Sequence, residues 1–338
     1  KGQRDALLDS HRQTERRRRL FDSVLSSVTA GVIGLDSDGR LDFMNRSAMR
    51  LLLLDEGRDS DVHLRAAVPE HLTYFARYEA ESAALRARRP GRLDLAYGPS
   101  PRQAIDLFLP GEEGAPLLVF IHGGYWQSRD RKDFSFVAGP FLEQGAAVAL
   151  IGYDLAPEVR MDAIVGQIRA GLAWLYRHAP EHGCDAARLH LAGHSAGGHL
   201  VAMALATDWR TLGLPEDLIK GACAISGIFD LEPIRRCYLN DVVGLDADEA
   251  RRNSPLHQPL YGRCPVTVAV GARETQAFHE QSRAFADRLE RADPLGNRCR
   301  WRHAHLVEGE RPVAWYRDRQ RHRCVPRDAR LRAECRLE

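Results

Sequence analysis

The amino-acid sequence predicts an α/β fold whose central sheet is mostly parallel and is covered by helices on both faces. Short apolar runs rich in branched residues are typical of buried parallel strands, and they occur at 117–121, 146–151, 189–192, 221–225 and 266–270. Amphipathic helical patterns lie between them, most clearly at 161–176 and 276–292. Two earlier runs, 92–97 and 104–109, alternate apolar and polar residues. That alternation favours an antiparallel start to the sheet.

Length and composition limit the classes of function. With 338 residues, 44% of them hydrophobic, the chain can bury one sizeable core. The formal net charge is only +2, so nothing global indicates a nucleic-acid partner or an anionic membrane. The longest aliphatic run, 51–54, is far shorter than the roughly 20 apolar residues of a membrane span. Because the N-terminal segment is charged and lacks an apolar signal sequence, we expect a cytoplasmic protein.

The sequence gives no indication of a metal ion or another cofactor. Its seven cysteines are odd in number and show no C-x-x-C spacing. This pattern favours free thiols over a zinc site or a disulfide framework. An H-x-H pair occurs at His303 and His305, but no further cluster of ligand residues supports a metal site.

Three regions differ in character. Residues 1–61 form an N-terminal extension with a block of arginines at 16–19 and two strand-like runs at 31–35 and 41–44. Residues 62–306 carry the alternation of strands and helices and are the expected catalytic domain. An arginine-rich tail without sustained periodicity covers 307–338. The exposed arginine block could pair two chains, so a homodimer is one expectation.

The strongest chemical signal is the segment GHSAGG over 193–198. It follows a predicted strand and precedes a helical run at 198–206, which is the context of a nucleophile elbow. The tight turn needs glycine on both sides and projects the serine oxygen from the carboxyl end of the sheet. A helix N-terminus behind it favours developing negative charge. We therefore predict that Ser195 is a nucleophile, against the alternative of a chance match in a glycine-rich turn.

A second motif, HGGYW over 122–126, directly follows the strand predicted at 117–121. Acyl transfer develops an oxyanion, which needs backbone N–H donors that glycines allow to come close. We assign these donors to Gly123, Gly124 and the N–H of Ala196. Tyr125 and Trp126 would then form an aromatic wall beside a compact acyl pocket. The alternatives are an ordinary turn at the end of the strand and a tryptophan that only packs.

The acid and the base of a catalytic triad must follow the serine in chain order. Glu274 is the carboxylate in the loop after the strand at 266–270, and its alternative role is to cap the next helix. Four histidines come later: His279, within a predicted helix, His322, in the tail, and the pair His303 and His305. A strand at about 297–302 would leave His303 at its end and His305 in the following loop. We predict His305 as the base, with His303 as the open alternative.

Three further histidines flank the two motifs. His194 and His199 flank Ser195, and His122 opens the glycine motif. The side chain next to the nucleophile points elsewhere on a sharp turn. All three are therefore interpreted as structural residues.

Together these segments resemble a known family. The residues at 122–126, 153–158, 193–198, 226–231 and 271–278 are similar to those of bacterial α/β-hydrolases of the kynurenine formamidase (arylformamidase)-like group. The resemblance covers about 62–296. It implies an α/β-hydrolase fold and a cofactor-free Ser–His–Glu hydrolase of small aryl formamides or short-chain esters, with Ser195 and Glu274 matching the family's nucleophile and acid. The family's histidine usually lies in an N-H-F segment, whereas this chain has RHAHL at 302–306.

The N-terminal extension carries a second resemblance. Residues 12–58 are similar to the start of a PAS segment in nitrogen-sensing histidine kinases. A PAS domain needs about twice this length, so we expect no complete ligand-binding core and no contribution to the chemistry. Besides an enzyme, two other classes stay open: a hydrolase-fold binding protein that has lost its base, and a signalling module. The expected partner is a small ester or formamide.

Overall fold

The structure is a computed structural model. It describes residues 33–35, 41–44, 69–89, 91–272, 274–292 and 305–309. By its internal contacts the chain divides into two compact units, Lys1–Ala80 and Glu81–Glu338.

The first unit contains a small antiparallel hairpin. Strands β1 (Ile33–Leu35) and β2 (Leu41–Met44) pair with Ile33 opposite Met44. Both strands fall within the runs predicted from the sequence. Most of the PAS-like segment, including the arginine block, lies outside the described residues.

The second unit is built on an eight-stranded sheet with the order β10-β9-β8-β7-β5-β6-β4-β3. β3 and β4 pair antiparallel, β4 and β6 pair antiparallel, and the remaining neighbours are parallel. The antiparallel start predicted from alternation is therefore confirmed. The strands are β3 (Arg92–Ala96), β4 (Ala104–Phe108), β5 (Ala115–Ile121), β6 (Ala147–Ile151), β7 (Cys184–His194), β8 (Ile219–Ile225), β9 (Val266–Gly271) and β10 (His305–Gly309).

Helices precede and connect the strands of the sheet. The longer ones, α1, α3, α4 and α8, each run for ten residues or more, and short 3-10 turns follow several elements. The helices are α1 (Pro69–Arg88), α2 (Ala138–Leu142), α3 (Met161–His178), α4 (Ala196–Leu205), α5 (Glu232–Arg235), α6 (Asn240–Val243), α7 (Ala247–Arg252) and α8 (Gln276–Arg291).

The core lies between the central strands and the two helices α3 and α4. β4 and β6 are buried along their whole length, as expected for strands covered on both faces. α4 is buried at every position, which explains its lack of an amphipathic pattern. On α3 the predicted apolar stripe is the buried face, formed by Met161, Ile164, Val165, Ile168, Leu172 and Leu175.

Two strands differ from the sequence-based boundaries. β7 begins at Cys184, well before the predicted run, because Cys184 and Asp185 also pair with β5 across a register shift at Pro116/Leu117. The last strand is His305–Gly309, whereas the predicted run at 297–302 lies outside the described residues.

Neither a membrane helix nor a metal cluster is found among the residues that the structure describes. None of its helices is long and apolar enough to cross a membrane. No group of three histidine, cysteine or acidic side chains there could hold a metal ion. Four cysteines, Cys184, Cys223, Cys237 and Cys264, are free thiols. Burial raises the pKa of Cys264 to about 12, so its thiol is protonated at neutral pH.

A buried charge cluster fixes the β4 side of the sheet. Asp106 in β4 is fully buried and accepts a hydrogen bond of 2.8 Å from Arg86 in α1. Its other oxygen accepts the backbone N–H of Asp94 at 2.9 Å and lies 3.2 Å from Nε of Arg131, which is 2% exposed. A buried carboxylate keeps its charge only when cations and donors compensate its lost hydration. The cluster therefore ties two strands, α1 and the 3-10 helix that begins at Arg131 to one another.

Removal of this carboxylate should cost more stability than any surface pair. Asp106→Ala removes the one fully buried carboxylate shared by Arg86 and Arg131, and we expect a loss of about 3 kcal/mol in the free energy of unfolding. Arg210→Ala, which breaks the exposed pair with Asp208 but keeps the carboxylate that caps the 3-10 helix at Trp209, is the control and should leave the urea midpoint almost unchanged. Equal midpoints for the two variants would contradict the assignment.

Candidate active site

The turn after β7 is strained in the way a nucleophile elbow requires. Ser195 stands between β7 and α4 with φ 57° and ψ −119°, a region that residues with a side chain rarely adopt. Its N–H donates to the carbonyl of Ile225 at 2.8 Å, and its own carbonyl accepts the N–H of His199 at 3.1 Å. The predicted strand–turn–helix context is thus present. Ser195 therefore lies directly after β7, at the carboxyl end of the sheet.

Close backbone packing holds this turn. A Cβ atom on Gly197 would overlap the carbonyl group of Ile121 in β5. α4 can therefore approach β5 only because this position has no side chain. The first turn of the helix, with the N–H of Ala196, is held directly behind Ser195.

The glycine motif lies against the serine. A Cβ atom on Gly123 would be 3.0 Å from Cβ of Ser195 and 2.7 Å from the carbonyl oxygen of His194. Gly124 follows with φ +112°, and its carbonyl accepts the N–H groups of Gln127 and Ser128 at 3.0 and 3.1 Å. The backbone of the motif is thus in van der Waals range of the elbow, where backbone donors could meet a reacting carbonyl.

His122 is a buried structural residue, as interpreted from the sequence. Its ring stacks between Tyr153 and Phe134, with centroids 4.4 and 5.8 Å away. Nδ1 lies 2.8 Å from the carbonyl oxygen of Gly123, so this nitrogen donates. Burial lowers the pKa of His122 to about 4. The ring is therefore neutral at neutral pH and orients the peptide group of Gly123.

Glu274 follows β9 and is held by a residue that the sequence analysis did not single out. Ser226, one residue after β8, donates from Oγ to Oε1 of Glu274 at 2.7 Å. Ser226 is 1% exposed, has φ 46°, and donates its N–H to the carbonyl of Ala269 at 2.7 Å. The N-cap of α8 is Thr275, so Glu274 is not the cap of that helix. The one signal for Ser226 was its place directly after a strand in the segment SGIFDL.

Glu274 also influences the two motifs electrostatically. Burial lowers the pKa of His194, and the charge of Glu274 opposes that shift. Burial raises the pKa of Tyr125, and Tyr238, Glu274 and Cys237 add to the rise. The carboxylate therefore belongs to the same neighbourhood as the elbow and the glycine motif.

The two aromatic residues of the glycine motif have different environments. Tyr125 is half-buried and meets Trp126 edge to face, with ring centroids 6.5 Å apart. Trp126 is fully buried, so it cannot form the pocket wall expected from the sequence. This burial favours the packing role, the alternative interpretation, for Trp126.

The position of His305 differs from the expected one. His305 begins β10 and pairs with Thr267, four residues before Gly309 and Gly271 at the carboxyl ends of the two parallel strands. Across the sheet, His194 in β7 is in register with Ile225 in β8, Ala269 in β9 and Val307 in β10. His305 is two residues before Val307. The backbone of His305 therefore lies about 10 Å behind Ser195 along the strands and about 14 Å across them. His279 lies in α8, and His303 and His322 lie outside the described residues.

Comparison with known proteins identifies related hydrolases. A family model named BD-FAE matches residues 105–289. Kynurenine formamidase of Danio rerio is 36% identical over 210 residues, which are 59% of this chain and 69% of that protein. Esterase LipC of Mycobacterium tuberculosis is 28% identical over 229 residues, 61% of this chain and 57% of that protein.

A solved structure supports the same fold. A protein of Silicibacter sp. TM1040, proposed to be a thioesterase, superposes with a TM-score of 0.61 at 34% identity, covering 72% of this chain and 87% of that one. The predicted α/β-hydrolase fold is confirmed. A separate, shorter likeness is to the nitrogen regulation protein NtrY of Azorhizobium caulinodans, 47% identical over 87 residues but only 11% of that protein. This short match agrees with the partial resemblance to nitrogen-sensing histidine kinases.

The packing of the elbow gives a direct test. Gly197→Ala introduces a methyl group where the backbone of β5 leaves no space, and we expect a loss of about 4 kcal/mol or failure to fold. Gly166→Ala is the control, because Gly166 lies in α3 with no atom within 4 Å of an added Cβ. That variant should gain about 0.5–1 kcal/mol. Thermal unfolding of both compares them, and a stable Gly197→Ala protein would contradict the packing described.

Proposed function

The chain belongs to the BD-FAE family, and from this we propose that it hydrolyses short-chain carboxylic esters, including aryl esters, and aryl formamides, with Ser195 as the nucleophile. That it is a hydrolase of ester or formamide substrates follows from its kynurenine formamidase and esterase relatives. The observation that carries the assignment of Ser195 is its strained conformation between β7 and α4, against the backbone of Gly123.

The oxyanion donors of the proposal are the N–H groups of Gly123, Gly124 and Ala196. Support comes from the contact between Gly123 and Ser195, and from the place of Ala196 at the start of α4. Donors fixed before the reaction stabilise the negative charge of the tetrahedral intermediate without reorganising. A helix N-terminus adds its partial positive charge.

Glu274 is the proposed acid of the triad. Ser226 donates to one carboxylate oxygen, and the other, which no described residue is shown to bind, could accept an imidazole N–H. Its role would be to orient the histidine and to stabilise the imidazolium that forms during the reaction.

The proposed reaction has two halves. The base takes the proton of Ser195 Oγ while this oxygen forms a bond to the carbonyl carbon of the substrate. Collapse of the intermediate breaks the bond to the alcohol or amine, which leaves with that proton, and the acyl group stays on Ser195. Water, deprotonated by the same base, then releases the carboxylic acid and restores the serine. For a formamide the acid released is formic acid.

Two tyrosines near the elbow support an aromatic leaving group. Tyr125 is half-buried beside the elbow. Tyr238, on the turn between α5 and α6, is 79% exposed and acts electrostatically on Tyr125. Two tyrosines at the mouth of the site offer ring surfaces for an aryl group.

A second candidate function rests on the position of His305. If no later histidine reaches Ser195, the chain is a hydrolase-fold binding protein that keeps the pocket and has lost its base. The register of β10 favours this alternative, because it separates the backbone of His305 from the carboxyl edge of the sheet.

Substitution of the nucleophile tests the proposal. Ser195→Ala should lower the turnover of p-nitrophenyl acetate by about 10⁴–10⁶-fold without unfolding the protein. It should also abolish covalent labelling by a fluorophosphonate probe. Ser282→Ala, which removes another fully buried serine hydroxyl, is the control and should behave like the parent. Turnover of Ser195→Ala within about tenfold of the parent would reject Ser195 as nucleophile.

Substitution of the late histidines separates the two candidate functions. The base must be neutral to accept a proton, so kcat/KM should fall as the pH drops through about 6.5. We expect His305→Ala to retain most activity because of its position in β10, and His303→Ala or His322→Ala to lose as much as Ser195→Ala. A parent without activity, or three fully active variants, would favour the binding protein or a different base.

A further inference from the structure

The loop of the glycine motif has an unusual backbone. Gly124, Tyr125 and Trp126 have φ values of 112°, 49° and 58°. Three successive residues thus lie in the left-handed region, and two of them carry large aromatic side chains. Only glycine adopts this region without a steric penalty. Such a conformation persists only when surrounding contacts determine it, so the loop must be anchored from outside.

Trp126 provides the anchor of the loop. Its side chain is fully buried, and Nε1 donates to Nδ1 of His199 at 3.1 Å. The two rings meet edge to face, with centroids 5.1 Å apart and an interplanar angle of 89°. The carbonyl of Trp126 accepts the N–H of Ala156 at 2.8 Å. The strained loop is therefore attached at both the side chain and the backbone of its last aromatic residue.

His199 connects this anchor to the nucleophile helix. It lies in α4 and is fully buried. Nε2 is 2.7 Å from the carbonyl oxygen of Asn253, so this nitrogen carries the proton and Nδ1 presents its lone pair to Trp126. Burial lowers the pKa of His199 to about 4. Since both ring nitrogens are bound to structural partners, His199 is neither a free base nor a proton shuttle.

We propose that His199 is a positioning residue for the oxyanion donors and that it acts through the indole of Trp126. The inference rests on the proposed function, because the glycine motif has oxyanion donors only if Ser195 performs acyl transfer. One imidazole fixes the distance between α4, which starts behind Ser195, and the loop that contains Gly123 and Gly124. Without this hydrogen bond the left-handed residues can relax, and the N–H groups of the two glycines turn away from the oxyanion.

The proposal predicts a specific kinetic effect. Donors to the oxyanion act on the transition state more than on the bound substrate. Loss of their alignment should therefore lower kcat and leave KM nearly unchanged. Loss of a residue that only supports the fold would instead lower the thermal midpoint or the amount of active protein. The folded fraction of such a variant would then keep the kcat of the parent.

The test uses the full chain and two ways of removing one hydrogen bond. Trp126→Phe deletes the indole N–H, and His199→Leu deletes its acceptor together with the bond from Nε2 to the carbonyl of Asn253. We expect kcat for p-nitrophenyl acetate to fall on the order of 10- to 100-fold in each, with KM within about twofold of the parent. The double variant should be no slower than the slower single variant, since both remove the same bond. His199→Asn, whose amide oxygen can accept from Trp126, should recover part of the loss.

A matched control is available in the same core. Trp209 is also fully buried, and its indole Nε1 has no hydrogen-bond partner among the described residues. Trp209→Phe therefore makes the same chemical change without breaking a hydrogen bond, and its kcat should equal that of the parent. Circular dichroism and thermal unfolding confirm that each compared variant is folded. If His199→Leu fails to fold, Trp126→Phe and His199→Asn still decide the proposal.

Several outcomes would overturn the proposal. They are a Trp126→Phe protein with unchanged kcat, an equal loss in Trp209→Phe, and additive losses in the double variant. Failure of the proposed function looks different, because Ser195→Ala would then keep its turnover and its labelling by the fluorophosphonate. A parent that neither turns over the ester nor reacts with the probe would reject both.

Discussion

The site depends on the contact between the first turn of α4 and the end of β5. This contact exists because Gly197 has no side chain to overlap the backbone of Ile121. It brings the start of the nucleophile helix beside the loop after β5, and so it brings Ser195 against Gly123. Every other feature of the site is fitted to this arrangement. The strained turn at Ser195 and the buried Trp126–His199 bond lie beside this contact, since both involve the first turn of α4.

Charge is distributed unevenly around this contact. Burial lowers the pKa of His122, His194 and His199, so the three histidines nearest the motifs are neutral at neutral pH. The carboxylate of Glu274 is the charged group that acts on His194, and Ser226 donates a hydrogen bond to one of its oxygens. Neutral, mostly buried surroundings have a low local dielectric constant, which strengthens the interaction of such a carboxylate with a cation. An imidazolium formed during catalysis would be that cation.

Much of the fold could be predicted from the sequence, because burial on both faces leaves continuous apolar runs. The strands near 117, 147, 219 and 266 and the stripe on α3 follow from this pattern. The start of β7 could not be predicted in this way, since its polar residues pair with β5 beyond the apolar run. The place of His305 depends on the register between two strands, which spacing along the chain does not determine.

The site shows the same division between local and long-range information. The elbow and the glycine motif are local, so their residue types and their flanking strands indicated them directly. The hydrogen bond from Ser226 to Glu274 joins residues 48 positions apart, and the one from Trp126 to His199 joins residues 73 positions apart. Polar contacts of this kind leave no periodic pattern in a sequence. The sequence therefore favours a pocket wall for Trp126, whereas the structure buries it and pairs its indole N–H with His199.

One detail of the charge cluster bears on how molecules of this protein avoid one another. β3 is the outermost strand on its side of the sheet, and most of it is exposed. Its ladder with β4 shifts register between Arg92 and Leu95, where Asp94 has φ 57° and turns its N–H inward to Asp106. An edge strand that presents a regular row of donors can recruit a strand from another chain. The irregularity at Asp94 withdraws one of those donors and places a charged side chain on the rim, so the carboxylate that secures the interior also makes this edge a poorer template for another strand.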